Sequence, residues 1–280
     1  MSRAESIERK TPDQLRAMRA AGLVVARALS RVSQAARPGV TTGELDLVAR
    51  EVLAQAGAVS SFLGYDGGFG LPPYPATTCI SVNDEVVHGI PGERALAEGD
   101  LVSVDFGACL AGWHGDAAVT VEVGQCRPEL RQLSEATRQA LWAGIAAVRD
   151  GGRIGDIGHA VETSIRAQPR RYGLVTDFTG HGIGQQMHLP PDVPNTGRRG
   201  RGAALAPGVT LAIEPMVTLG SARVAELDDE WTIVTRDGTA AAHWEHTVAL
   251  TDHGLWVLTA ADGGEAELSA LGLPFGPLAD

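Results

Sequence analysis

Apolar residues recur at helical spacing near the start of the chain. Leu15, Met18, Gly22, Val25, Leu29 and Val32 fall on one face of a helix. Thr11-Pro12-Asp13-Gln14 just before them spells a capping box with Pro at the first helical position, and Pro38-Gly39 stops the run. Thr41 and Glu44 open a second helix on the face Leu45, Val48, Val52 and Ala56, with Gly57 as its stop. A Gly/Pro-rich loop, Gly64 to Pro75, leads to strand-like runs at Thr77–Val82, Leu101–Phe106 and Ala118–Val123. Helices are predicted again over Pro128–Asp150 and Ile154–Ala167, followed by strand-like runs at Val209–Ile213, Trp231–Thr235 and His243–Leu250.

Two helices followed by strands therefore occur twice, and three local matches support a duplication. Gly39–Leu45 resembles Gly151–Ile157, His88-Gly89-Ile90 resembles His181-Gly182-Ile183, and Gly99–Asp105 resembles Gly208–Glu214. The expected organisation is a mobile lead-in over residues 1–10 and one catalytic domain over 11–260, with halves of about 11–125 and 126–260. A loosely attached tail is expected over 261–280.

Charge and cysteine content narrow the function. The chain has 34 acidic and 23 basic residues, a net charge of −11, which speaks against a nucleic-acid footprint of clustered positive charge. Cys79, Cys109 and Cys126 are odd in number and lack metal-ribbon spacing, so neither a disulfide framework nor a zinc ribbon is expected. No apolar run is long enough for a membrane helix, and Met1 to Lys10 has no apolar signal core. The expectation is a soluble, reduced, cytoplasmic protein.

Acidic residues stand where apolar strands should be. Strand alternation puts Leu101, Ser103 and Asp105 on one face and Val102, Val104 and Phe106 on the other, with Asp105 at the strand's end. Asp116 heads the next strand, Glu214 is the repeat equivalent of Asp105, and Glu245 leads into Thr247–Leu250. Taken singly, such a residue is more often a turn or cap, and a lone His more often a satisfied polar side chain. Four together would repel one another and lose hydration unless protonated or paired with cations. Two divalent ions would match their charge, and His181 between glycines is the natural imidazole donor.

These segments resemble the type I methionine aminopeptidases. The resemblance is carried by Ser81–Pro91, Asp105-Phe106-Gly107 with Asp116, Gly180–Gly184, Ile213–Val217 and Trp244–Thr247, and it spans about Ile7 to Leu258. It implies an α+β pita-bread fold, two pseudo-symmetric halves with antiparallel sheet inside and helices outside. It further implies removal of the initiator methionine from nascent polypeptides whose second residue is small. Asp105, Asp116, His181, Glu214 and Glu245 would hold two divalent metals, Mn, Fe, Co or Zn, with Asp116 and Glu245 bridging. Glu214 would carry the proton, His188 would stabilise the oxyanion and His88 would contact the scissile amide.

By the same resemblance Tyr65, Tyr74, Cys79, Met187 and Trp231 line the methionine pocket. The sequence departs from the family at Val87, where a cysteine is frequent, and at Met187, where an aromatic is frequent. The implied partners are nascent chain ends beginning with Met. No ribosome-binding segment stands out, so any ribosome contact is expected to be transient, and family habit implies a monomer. The rivals are a proline-specific peptidase of the same fold, which usually carries an extra N-terminal domain, and a binding module that has lost its metals. The intact ligand set argues against the second.

Overall fold

Thr11 and Thr41 start the first two helices as their spacing predicts. The Thr11 hydroxyl accepts from the Gln14 N–H and the Gln14 side chain accepts from the Thr11 N–H, so α1 (Pro12–Ala35) opens with both donors satisfied. Thr41 and Glu44 repeat the box at α2 (Thr42–Ala56), and Gly57 ends it in the left-handed region at φ 63°. The computed structural model describes residues 7–66 and 70–279. Residues 1–6 of the lead-in and 67–69 of the Gly64–Pro75 loop lie outside the described residues.

The first half continues with β1 (Val59–Ser60), β2 (Cys79–Val82), β3 (Glu85–Val87), β4 (Leu101–Leu110) and β5 (Trp113–Glu122). The second half opens with α3 (Pro128–Ala146) and α4 (Ile154–Arg166). Then come β6 (Gly173–Leu174), β7 (Gly180–Gly182), β8 (Leu189–Val193), β9 (Thr210–Ile213) and β10 (Met216–Thr218). The chain finishes with β11 (Val224–Glu226), β12 (Ile233–Thr235), β13 (Ala241–His243), β14 (His246–Thr251), β15 (Gly254–Val257) and α5 (Glu265–Ala270).

In the first half β5 runs along one edge of β4, while β1 and β2 share the other edge, all antiparallel. The second half holds a five-stranded antiparallel sheet in the order β15-β14-β9-β7-β8. Helices cover one face of each sheet. Val25, Leu29, Leu45 and Val52 of α1 and α2 pack with Val102, Val104 and Phe106 of β4. Leu141, Ile145 and Ile157 of α3 and α4 pack with Leu211, Ile213 and Val248. Burial of these apolar faces, rather than helix propensity, holds the layers together. α1 passes so close to β5 that a Cβ on Gly115 would lie 2.9 Å from the Gly22 nitrogen, so only glycine fits there.

The halves join along β5 and β14. Glu245 and Ala118 exchange backbone hydrogen bonds of 2.9 and 3.3 Å. The Thr247 hydroxyl donates to the Asp116 carbonyl at 2.8 Å and accepts from its N–H at 3.0 Å.

Five expectations need correction. β4 does not end at Asp105 but runs on to Leu110, and Asp116 is the fourth residue of β5 rather than its head. The cause is a tight hairpin: Ala111 and Gly112 both have positive φ, 50° and 82°, which lets Leu110 pair directly with Trp113. The helix predicted over Pro128–Asp150 stops at Ala146, and a turn leads on to α4. The segment after Ala261 is docked rather than loose. Leu268 of α5 is fully buried, Leu255 bridges to Phe275, and Arg16 Nε donates to the Ala279 carbonyl at 2.7 Å. The described end of the lead-in is tied down as well, since Lys10 is buried and its N–H donates to the Gly208 carbonyl at 2.7 Å. Among the described residues the three cysteines are free, and no helix is long and apolar enough to cross a membrane.

Candidate active site and metal centre

Pairing of β4 with β5 sets Asp105 opposite Ala118 and Gly107 opposite Asp116, so the two aspartates are diagonal neighbours on one face. That face points away from the helices, because Val102, Val104 and Phe106 take the other. Glu214 directly follows Ile213 and Glu245 directly precedes His246, and Ile213 pairs with His246 across β9 and β14. His181 lies on β7, whose next residue Gly182 pairs with Leu211 of β9. A Cβ on Gly182 would meet the Pro190 carbonyl oxygen at 2.4 Å, so the close β7–β8 approach that carries His181 needs glycine.

These elements bring the acids and the imidazole together. Ligand atoms of Asp116, His181 and Glu245 all lie within 4.8 Å of one another, and His181 Nε2 is 3.6 Å from Glu214 Oε1. Asp105, Asp116 and Glu245 are buried, and Asp105 Oδ1, Asp116 Oδ1 and Glu245 Oε1 have no hydrogen-bond partner.

Electrostatics follows from that crowding. Burial pushes the carboxyls of Asp105, Glu214 and Glu245 well above the ordinary range, and the charge of Asp116 adds to each shift. Burial pushes Asp116 up to about 7. It pulls His181 down to about 3, keeping the ring neutral at pH 7. His181 Nδ1–H donates to the Gly182 carbonyl at 2.9 Å, which leaves the Nε2 lone pair facing the acids. Buried acids with orphaned oxygens beside a bare imidazole nitrogen form a donor set for a divalent cation.

A cavity of about 1090 Å³ opens onto this cluster and is lined also by His88, His188, Tyr65, Tyr74, Cys79, Met187 and Trp231. The His188 ring lies 4.2 Å from His181, and its Nδ1 is 2.6 Å from the Tyr65 hydroxyl. His88 has φ 61°, a strained conformation for a side-chain-bearing residue, and meets Phe178 and Trp231 edge-on at 5.5 and 6.0 Å. Burial pulls both histidines down to about 4, so each meets a ligand as a neutral ring.

The five residues expected around a methionine side chain fall in one apolar cluster with Phe62, Ala76, Leu71 and Ile90. Their polar ends are occupied elsewhere. The Tyr74 hydroxyl is 3.0 Å from the carbonyls of Thr78 and Gly89, and Trp231 Nε1 donates to the Pro72 carbonyl at 2.9 Å. The space therefore presents aromatic faces and two sulfurs rather than hydrogen-bonding groups. Val87 lines the same cavity.

Sequence reading missed several contributors. Phe62 and Phe178 line the cavity from short irregular segments that carry no periodic signal. Asn195 donates to the Glu214 carbonyl at 3.1 Å, and His243 lies beside Glu245 with its Nε2 4.0 Å from Oε2. A buried-strand histidine two residues before a candidate ligand was the available signal for the last.

The sequence profile of metallopeptidase family M24 matches residues 16–252. A methionine aminopeptidase 1 from Mycobacterium tuberculosis (strain CDC 1551 / Oshkosh) is 52% identical over 258 residues, covering 90% of this chain and 95% of the relative. A second methionine aminopeptidase 1, from Bacillus subtilis (strain 168), is 42% identical over 250 residues, covering 89% and 98%. Among solved structures, methionine aminopeptidase from Thermotoga maritima superposes with a TM-score of 0.86 at 39% identity, covering 91% of this chain and 99% of that one.

Proposed function

The chain belongs to metallopeptidase family M24, and on that premise we propose that it acts as a type I methionine aminopeptidase of the pita-bread fold. It hydrolyses the first peptide bond of polypeptides that begin with Met and continue with a small residue. The observation that carries this reading is the cluster of Asp105, Asp116, Glu214, Glu245 and His181 at the floor of an apolar, aromatic-walled cavity.

The chain is a metal-dependent enzyme, and its residues fit the metal. Asp105, Asp116, His181, Glu214 and Glu245 would hold two divalent ions, whose charge the orphaned oxygens of Asp105, Asp116 and Glu245 require. Mn, Fe and Co suit carboxylates with one imidazole, and Zn is also accommodated. Such ions supply polarisation of the scissile carbonyl and a water acidic enough to attack at neutral pH.

The protein's own groups do the rest. Glu214 takes the proton from the attacking water and passes it to the leaving amine. His188, a neutral ring whose Nδ1 faces the Tyr65 hydroxyl, offers Nε2–H to the oxygen on which charge develops. His88, held by its strained backbone between Phe178 and Trp231, contacts the scissile amide. Tyr65, Tyr74, Cys79, Met187 and Trp231 receive the thioether side chain, whose sulfur packs well against aromatic rings. The substrates are nascent chains, met in the cytoplasm by a monomer through transient contacts.

Two substitutions test the division of labour. Glu214→Gln keeps size and one donor oxygen but accepts no proton, so turnover should fall by about 10²–10⁴-fold even at saturating metal. Asp105→Asn should act through metal affinity, so excess metal should restore part of its turnover. Turnover measured against metal concentration separates them. Near-normal turnover of Glu214→Gln at saturating metal would make Glu214 a ligand only.

A further inference from the structure

His243 ends β13, two residues before Glu245, and is 1% exposed. Its backbone is fixed from the other half of the molecule. The N–H reaches the Ser103 and Thr120 hydroxyls at 3.1 and 3.0 Å, and the carbonyl accepts from Thr120 at 2.7 Å. On its own side Met216 of β10 pairs with it. The ring is thus placed as firmly as any strand residue, yet its Nε2 has no hydrogen-bond partner. Leaving such a buried group unpaired is unfavourable, because it gives up hydration without gaining a partner.

What faces that nitrogen is a candidate metal ligand. Nε2 lies 4.0 Å from Glu245 Oε2, and Glu245, 2% exposed, has an unpartnered Oε1. Four ångströms is too long for a hydrogen bond, so the two groups face each other without being joined. A carboxylate oxygen that gives one lone pair to a cation keeps a second, and groups behind the ligands usually satisfy it and fix the ligand's orientation. The mutually close ligand atoms belong to Asp116, His181 and Glu245, and His243 is outside that set. Its place is behind the ligands.

We propose that His243 is a positioning residue of the metal centre, donating from Nε2–H to the outer lone pair of Glu245 Oε2 when a divalent cation draws that carboxylate into place. The unpaired nitrogen is then the cost of a site built for its loaded state, and binding relieves it. The inference rests on the reading of Glu245 as a metal ligand. It also ties the first half to a ligand of the second, since Ser103 and Thr120 hold the backbone that aims the ring.

Calorimetric titration of the metal-free enzyme with Mn2+ tests it. His243→Gln retains an N–H donor at similar reach and should bind Mn2+ within about threefold of wild type. His243→Leu fills the space without a donor and should bind about 10–100-fold more weakly. Its metal-free melting temperature should not fall, because an unpaired polar atom has been removed. Equal affinity of the Leu variant and wild type would overturn the proposal. So would equal weakening in Leu and Gln, which would make His243 a direct ligand. Should the Leu variant fail to fold, nitrogen NMR of histidine-labelled wild type decides, with the His243 signals assigned by their loss in the Gln variant. A protonated Nε2 that shifts on loading with diamagnetic Zn2+ supports the hydrogen bond, and an unprotonated Nε2 overturns it. Failure of wild type itself to bind Mn2+ would instead sink the metal-centre reading, so the two failures are distinguishable.

Discussion

At the residue scale the site is a set of groups whose ionisation burial has turned away from its ordinary state. His88, His181 and His188 are neutral at pH 7, while the acids around Asp116 are held together against their own repulsion. The acids were legible in the sequence because a charged residue inside an apolar strand has few bland explanations once four occur together. His243 and Asn195 were not, because a polar residue on a strand or loop reveals its partner only in three dimensions. Met187, one of the residues expected around the methionine side chain, is 6% exposed among Tyr74, Cys79 and Trp231. A flexible thioether wall adapts to its guest better than a ring does. Met187→Phe should therefore keep activity on Met peptides and lower kcat/KM for norleucine peptides relative to Met by about tenfold. An unchanged ratio would show that Met187 is not a wall of the pocket.

At the element scale the long helices were readable and the short strands were not. Capping boxes at Thr11 and Thr41 fixed two helix starts, and Gly57 fixed a stop. β3, β7, β10 and β13 have three residues each, too few for a period of two to register, and they exist through their neighbours' hydrogen bonds. One helix-to-strand tie has a measurable consequence. Asp46 of α2 is buried, and its Oδ1 accepts from the N–H and hydroxyl of both Thr77 and Thr78 at 2.5 to 2.9 Å, just before Cys79 and β2. Arg50 adds a 2.6 Å bond to Oδ2. Burial alone would raise the Asp46 carboxyl, but Thr77, Arg50 and Thr78 outweigh it and hold it below the usual range. A depressed folded-state pKa contributes stability above the unfolded value of about 3.9 and loses it as pH falls through the folded value. Asp46→Asn should thus cost about 1.5–3 kcal/mol at pH 7 in urea unfolding. The gap to wild type should narrow below about pH 3.9 and close only as pH falls through the lower folded-state value, where wild type itself becomes protonated. A gap independent of pH would mean that the charge contributes nothing.

At the scale of the whole molecule the site exists only where two similar halves meet. The first half brings Asp105 and Asp116, the second His181, Glu214 and Glu245, and backbone bonds between Ala118 and Glu245 hold the sets together. The three short sequence matches pointed to two related halves, and two helices followed by strands do occur twice along the chain. The docking of the C-terminal segment did not show, because few apolar anchors, Leu268, Leu273 and Phe275, are diluted among glycine, alanine and acids. The proposed reading places a free N-terminal methionine in the cavity, which is walled by an apolar cluster and floored by the acids. Release of the first amino acid from Met-Ala-Ser and from an Xaa-Pro peptide, before chelation, after it and after divalent metal is restored, tests this most directly. The expected result is methionine released from Met-Ala-Ser at least a hundredfold faster than any residue from the Xaa-Pro peptide, abolished by chelation and restored by metal. Preferential cleavage of the Xaa-Pro peptide, or methionine release that chelation leaves untouched, would contradict it.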